Sequence, residues 1–167
     1  ATTYRICPRS GLQFDTAAEK LMRWNAVAGV LALLLGGIMA LGVILTRWPA
    51  VHLLPADQFY LALTSHGVNM LLFWIIFFEM AVLYFASSTL LHCRLATPKI
   101  AWAGFWLMAI GAIMTNVAIF QGESSVMFTS YVPMQAKPHF YLGIILFAVG
   151  ALLGTAVFFG TLVVAKR

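Results

Sequence analysis

Four long apolar runs, separated by short polar stretches, constrain this chain more than any other feature of its sequence. The hydrocarbon layer of a bilayer is about 30 Å thick, and a helix needs about 20 apolar residues to cross it. The chain is 62% hydrophobic and 9% charged, with a mean hydropathy of +0.94, which leaves too few charges to cover a soluble surface. We therefore predict an all-α membrane protein, one membrane domain over residues 1–167, with four transmembrane helices at about 25–46, 58–91, 100–120 and 140–165.

The residues before the first run carry signals of a helix start. Thr16 and Glu19 have the spacing of a capping box, in which a hydroxyl and a carboxylate satisfy free amides. We predict an amphipathic N-terminal segment at about 10–24 that leads into the membrane. No cleavable-signal pattern opens the chain, so we expect the first run to be retained.

The charges indicate an orientation. Basic residues are enriched on the cytoplasmic side of membrane proteins. Eight Lys and Arg residues fall on one side of the predicted spans and two on the other, which predicts both termini in the cytoplasm and a multi-pass protein of the cell inner (cytoplasmic) membrane. The first group is Arg5, Arg9, Lys20, Arg23, Arg94, Lys99, Lys166 and Arg167, and the second is Arg47 and Lys137. Cys7 and Cys93 share the inner side, where we expect reduced thiols.

His66 is the first candidate for chemistry, because ionisable side chains inside a bilayer are costly and are functional candidates by default. It lies about eight residues into the second run, at a depth of roughly 12 Å. A neutral imidazole there suits an axial haem ligand, with one nitrogen on iron and the other held by a local acceptor. Gly67 would let a flat macrocycle come close. A histidine that only hydrogen-bonds between helices is the structural alternative.

Glu79, the second candidate, follows thirteen residues later, roughly 20 Å further inward. It is too far from His66 to act on the same group. A carboxyl at that depth suits either a waypoint in a proton path or a pair with a polar group of a neighbouring chain. Asn69 and Asn116 are also intramembrane, and we predict that they form helix–helix hydrogen bonds. His52, His92 and His139 fall near span ends and are interpreted as interfacial polar residues.

Two stretches resemble a known family. Residues 63–70, Leu-Thr-Ser-His-Gly-Val-Asn-Met, followed by the aromatic-rich stretch 73–78, resemble the second helix of the catalytic subunit (subunit I) of haem-copper terminal oxidases. Residues 131–133 and 139–143 resemble the outer loop and fourth helix of the B-type branch. The resemblance implies that His66 is one axial ligand of a low-spin haem, of a or b type, and that the chain is the N-terminal four-helix portion of a larger helical bundle.

The resemblance also implies what this chain lacks. In the family, later helices supply the second low-spin ligand and the ligands of a high-spin haem and copper, so the oxygen-reducing site is expected in the complete complex and not in this chain alone. The implied partners are the remaining part of the catalytic subunit on another chain, a cupredoxin-type oxidase subunit, a cytochrome c or cupredoxin electron donor, and the lipid membrane. The implied function is respiratory electron transport to oxygen, with proton translocation.

Several alternatives stay open at this point. The chain could belong to a nitric oxide reductase-like complex, to a four-helix b-type cytochrome with His139 as second ligand, or to a cofactor-free structural or assembly subunit. The sequence has no HExxH motif, Gly-rich phosphate loop or aromatic-interleaved basic patch, so neither hydrolase chemistry nor nucleic-acid binding has support.

Overall fold

The structure is a computed structural model, which describes residues 4–166. Two short strands, β1 (Tyr4–Ile6) and β2 (Gln13–Asp15), precede four helices, α1 (Thr16–Arg47), α2 (Ala56–Leu90), α3 (Pro98–Phe120) and α4 (Pro138–Ala165). All four helices are long and apolar enough to cross a membrane. The predicted four-helix membrane fold is therefore confirmed, while the cytoplasmic placement of the termini stays a prediction. Following that prediction, we call the end with loops 48–55 and 121–137 the outer end.

The N-terminal segment differs from the predicted amphipathic lead-in at 10–24. β1 and β2 form an antiparallel hairpin in which Tyr4 lies opposite Asp15. α1 then begins at Thr16 and continues unbroken through residue 25 into the membrane. The cap also differs from the predicted Thr16 capping box, because the side chain of Asp15 accepts a hydrogen bond from the amide of Ala18.

The predicted partner of that capping box, Glu19, pairs with the hairpin instead. The Arg5 guanidinium donates to both carboxylate oxygens of Glu19, at 3.0 and 2.7 Å. This two-point geometry suits a planar guanidinium and a carboxylate. The hairpin is therefore tied to the first turn of α1, and Glu19 is not free to reach back to the helix cap.

The second helix is not a regular α-helix throughout. It is α-helical over Ala56–Val68 and Trp74–Tyr84, and π-helical over Asn69–Phe73 and Phe85–Leu90. Each wider turn changes the hydrogen-bond register, and such turns are frequent at functional sites. The first of them begins three residues after His66.

Glycines set how closely α3 and α4 approach. A Cβ on Gly104 would lie 2.8 Å from the carbonyl oxygen of Gly150, and one on Gly111 would lie 2.6 Å from the amide nitrogen of Phe147. Such backbone approach is the usual basis of helix association in lipid. Rings from three helices fill the space beside this crossing, with the centroids of Phe73 and Phe147 only 4.7 Å apart. The result is a continuous core between α2, α3 and α4.

Candidate functional site

His66 lies on the outer half of α2 with its ring partly buried against α1. Its Nδ1 is 2.9 Å from the carbonyl oxygen of Gly36. A carbonyl only accepts hydrogen bonds, so Nδ1 carries the proton in this arrangement, and the neutral ring keeps a lone pair on Nε2. Nε2 has no hydrogen-bond partner among residues 4–166. One nitrogen is thus held by the protein and the other is free to bind a metal, which is the usual arrangement of a metal-ligating imidazole.

Gly36 can serve as acceptor because α1 and α2 touch at this point. A Cβ on Gly36 would lie 2.7 Å from Cγ of Met70 and 3.2 Å from Cβ of Asn69. The absence of a side chain therefore brings the α1 backbone within hydrogen-bond reach of the imidazole. Gly36 thereby supplies the carbonyl that orients His66.

Gly67 faces the protein rather than open space. A Cβ on Gly67 would lie 2.7 Å from Cβ of Phe128, which belongs to the outer loop between α3 and α4. The close approach of this loop is one physical reason for a glycine at this position, and its contact with a macrocycle stays a prediction. The same loop also bonds the preceding turn, since the amide of Met127 donates to the Thr64 hydroxyl at 2.8 Å.

Two asparagines join α2 to α3 just inward of His66. Nδ2 of Asn69 is 2.7 Å from Oδ1 of Asn116, and Nδ2 of Asn116 is 3.2 Å from Oδ1 of Asn69. The remaining amide hydrogens bond the carbonyls of Ser65 and Ala112. Every polar group of the pair is therefore satisfied in the bilayer, as apolar surroundings require. The predicted helix–helix hydrogen bonding of these residues is confirmed.

Glu79 is exposed on the inner half of α2. Its carboxylate has no hydrogen bond or ion pair within residues 4–166. Large apolar side chains share this exposed face, among them Ile75 at 45% exposure and Val82 at 48%. The structure does not bring Glu79 to His66.

The remaining histidines lie away from the His66 ring. His52 and His92 are exposed in connecting segments, both with a positive φ. His139, at the start of α4, has its Nε2 3.8 Å from the carboxylate of Glu123. No hydrogen bond joins it to His66 in the described part of the chain. Within residues 4–166, no three His, Cys, Asp or Glu side chains cluster as a metal site.

An apolar cleft of about 470 Å³ opens between α1, α2 and α3. Its walls include Trp24, Leu31, Phe73 and Trp106, and the asparagine pair contributes to its lining. His66 is not among its lining residues, although Asn69, one turn further inward on α2, is.

Sequence reasoning identified His66 but missed the groups that hold it. The Gly36 carbonyl, the Thr64 hydroxyl and Phe128 come from three separate stretches of sequence. Every residue has a backbone carbonyl, so the sequence does not show which one accepts a hydrogen bond. The only available signal was the glycine itself, at positions 36 and 67, since glycine permits close approach.

Comparison with known proteins defines the class of this fold. A cryo-EM structure of a heme-copper terminal oxidase dimer matches it with a TM-score of 0.73 and 25% sequence identity, over 84% of this chain and 24% of that one. The fold is thus that of part of a haem-copper oxidase subunit.

A family model narrows this class. The model described as "Cytochrome C and Quinol oxidase polypeptide I" matches residues 20–167, so the chain belongs to that family.

Individual relatives agree with this assignment. The chain is 28% identical over 132 residues to cytochrome c oxidase subunit 1 of Thermus thermophilus, covering 75% of this chain and 23% of that protein. It is 26% identical over 143 residues to the probable cytochrome c oxidase subunit 1-beta of Nocardia farcinica, covering 77% and 22%. The subunit 1 of Alkalihalophilus pseudofirmus is 27% identical over 135 residues, covering 79% and 22%. The chain therefore spans less than a quarter of the length of these relatives.

Proposed function

We propose that this chain is the N-terminal part of the catalytic subunit of a respiratory haem-copper oxidase, and that His66 supplies one axial ligand to its low-spin haem. The observation that carries the proposal is the hydrogen bond between Nδ1 of His66 and the Gly36 carbonyl, which leaves Nε2 free for iron. Membership of the oxidase family supports it independently.

A low-spin haem, when bound, takes up and passes on single electrons. The residues of this chain would hold and orient it. His66 would provide the ligand, and Gly36 would keep the proton on Nδ1 and fix the ring angle. The apolar residues of α1 and α2 would exclude water, and the dielectric and hydrogen bonding around a haem influence its potential.

The complete enzyme would have further parts. We propose the B-type branch, an a- or b-type low-spin haem, and a high-spin haem and copper held by the remaining part of the catalytic subunit. A cupredoxin-type subunit and a cytochrome c or cupredoxin donor would deliver electrons at the outer end, and oxygen reduction would be coupled to proton transport across the inner membrane. This chain covers less than a quarter of the relatives it matches, and these further parts would belong to the portion of the subunit that it does not cover.

For Glu79 we propose a contact with a neighbouring chain. An exposed intramembrane carboxyl without a partner in its own chain is costly, and a donor on an adjoining helix would offset that cost. The proton-path role stays as the competing proposal, because a protonated carboxyl can also pass on a proton.

The experiment is a reduced-minus-oxidised spectrum of the complete oxidase carrying His66→Ala. We expect the low-spin alpha band to disappear, and external imidazole to restore part of it in His66→Gly. His52→Ala is the matched control, because His52 is an exposed loop histidine of the same chain. Survival of the low-spin band in His66→Ala would overturn the ligand assignment.

A further inference from the structure

We propose that the outer loop between α3 and α4 is a positioning element for the His66 imidazole. It acts through two contacts with the turn of α2 that carries this histidine, one at Thr64 and one at Gly67. The inference rests on the proposed role of His66 as a haem ligand.

The first contact is a hydrogen-bond relay through Thr64, which is fully buried. Its hydroxyl donates to the carbonyl of Tyr60 at 2.7 Å and accepts from the amide of Met127 at 2.8 Å. A hydroxyl is the group that can donate and accept at once. The loop backbone is thereby attached to α2 two residues before His66.

The second contact is the packing of Phe128 against Gly67. Any Cβ at position 67 would lie 2.7 Å from Cβ and 3.5 Å from Cγ of Phe128. The loop thus touches α2 immediately after His66 as well as before it. Met127 has a φ of 55°, in the left-handed region that non-glycine residues rarely adopt. This turn in the backbone lets consecutive residues reach the two contact points.

The loop is itself anchored to the bundle. Val126 is 1% exposed and belongs to the hydrophobic core. Glu123 lies at the start of the loop, and its carboxylate is 3.8 Å from Lys137 at the loop's end, whose amide also bonds the Glu123 carbonyl at 3.4 Å. The loop therefore has a defined position where it contacts α2 at Thr64 and Gly67.

The α2 helix needs such support at this point. The regular α-helical register ends at Val68 and the π-helical turn begins at Asn69, so the helix loses its usual bonding pattern within three residues of His66. The Gly36 carbonyl holds the ring on one side. The loop holds the backbone that carries the ring, and together these two contacts would fix the orientation of the His66 ring toward a haem.

Groups that orient a metal ligand from outside its coordination sphere alter metal affinity and electronic properties when they are removed. The test uses Thr64→Val, which removes the hydroxyl at constant shape, and Phe128→Ala, which removes the packing on Gly67. Thr64→Ser keeps the hydroxyl and serves as the conservative rescue. Tyr131→Ala is the matched control, because Tyr131 lies in the same loop and is 70% exposed.

Each variant is made in the complete oxidase and examined by electron paramagnetic resonance of the oxidised low-spin haem, redox titration of its alpha band, and haem loss to excess apomyoglobin. We expect Thr64→Val and Phe128→Ala to shift the resonance and the midpoint potential and to speed haem loss by roughly tenfold. Thr64→Ser and Tyr131→Ala should match the unmodified oxidase.

Unchanged resonance, potential and haem loss in Thr64→Val and Phe128→Ala would overturn the inference, and so would an equal change in Tyr131→Ala. Should Phe128→Ala fail to assemble, Phe128→Leu keeps most of the volume and the same readouts decide. These failures are distinct from failure of the proposed function, in which His66→Ala itself keeps the low-spin haem.

Discussion

The outer and inner halves of α2 differ in whether their polar side chains all find hydrogen-bond partners within this chain. In the outer half, the polar side chains that face the bundle find partners in the chain, with His66 on Gly36 and Asn69 on Asn116. In the inner half, Glu79 has no partner within residues 4–166, and the buried Thr89 hydroxyl has no hydrogen bond. The outer half is prearranged. In the inner half Ser87 and Ser88 also bond within the chain, and Glu79 is the exposed group left without a partner in residues 4–166.

Packing between the helices is close through the middle of the bundle, where Gly104 also approaches Gly150, and it loosens toward the inner ends. On α1, a Cβ at Gly36 in the outer half would come within 2.7 Å of Met70, whereas one at Gly29 in the inner half would make only ordinary contacts at 3.4 Å. Along α4, close approach extends from Gly143 to Gly154 and ends before Gly160, whose nearest neighbour would be 3.7 Å away.

We expect the outer and inner halves of α2 to have different roles along the membrane normal. A haem ligand must keep its angle to iron, and rigid packing with satisfied hydrogen bonds holds a side chain in one geometry. The exposed inner face of α2 is suited to contact with a neighbouring helix. If this account is correct, substitutions in the outer half should damage the chain itself, and those in the inner half should act on the assembled complex.

The largest effect is expected at the helix crossing. Gly143→Ala would place a methyl group 2.7 Å from the Gly111 carbonyl and 2.9 Å from the Thr115 amide. We expect a loss of about 1–3 kcal/mol in unfolding free energy, because overpacked helices must move apart. The matched control is Gly160→Ala, where space is available. Denaturation of the purified oxidase measures both, and equal losses would contradict the contrast between the two halves.

Next in size is the asparagine pair. Asn116→Leu removes one amide and leaves Asn69 with unsatisfied groups in the bilayer. We expect a loss of about 1 kcal/mol, since interhelical hydrogen bonds in membranes average about 0.6 kcal/mol and reach about 1.7. Combining Asn69→Leu with Asn116→Leu should cost less than the sum of the single changes, because no amide is then left alone. Strict additivity in this double-mutant cycle would argue against coupling.

Substitution of Glu79 tests the comparison in the inner half of α2. Glu79→Leu should weaken the complete oxidase by up to about 1.7 kcal/mol, because a neighbouring donor would lose its acceptor. Val82→Leu, on the same exposed face, is the control. Subunit retention during detergent denaturation measures the effect. A Glu79→Leu oxidase of full stability with slowed proton uptake would favour the proton-path role instead.

The smallest effect on stability is expected in the hairpin, where a labelling experiment tests which end is the inner one. Hydrogen bonds from Ser10 lower the pKa of Cys7 to about 7, so about half of this thiol is thiolate at pH 7. Burial raises the pKa of Cys93, which should react more slowly. A membrane-impermeant maleimide should label Cys7 in inverted vesicles and spare it in intact cells. Labelling in intact cells only would reverse the predicted orientation.

The same labelling carries an internal control for its chemistry. Ser10→Ala removes the hydroxyl bond and moves the pKa of Cys7 back toward the ordinary 9.0. The thiolate fraction at pH 7, and with it the labelling rate, should fall by up to about fifty-fold. The rates of the two proteins should converge as the pH rises above 9. A rate that Ser10→Ala does not change would show that this bond does not control the thiol.

The four spans could be predicted because continuous apolar runs need only composition and length. The start of α1 also had a signal in the spacing of Thr16 and Glu19, although Asp15 and not Thr16 supplies the cap. The hairpin was missed because its strands are only three residues each, and the pair that ties it to α1 joins Arg5 to Glu19 across fourteen positions of sequence.

Only part of the candidate site could be predicted from the sequence. An imidazole in an apolar run is conspicuous, so His66 could be selected from sequence alone. Its acceptor is a backbone carbonyl thirty positions earlier, and its supporting loop follows some sixty positions later. These contacts are products of tertiary packing and leave no local pattern.

The most direct test of the account is a cryo-EM map of the complete oxidase that resolves the side chain of residue 66. We predict porphyrin density with its iron at bonding distance from Nε2, and Nδ1 on the carbonyl of Gly36. A ring whose Nε2 instead contacts another side chain, water or lipid would contradict the central claim.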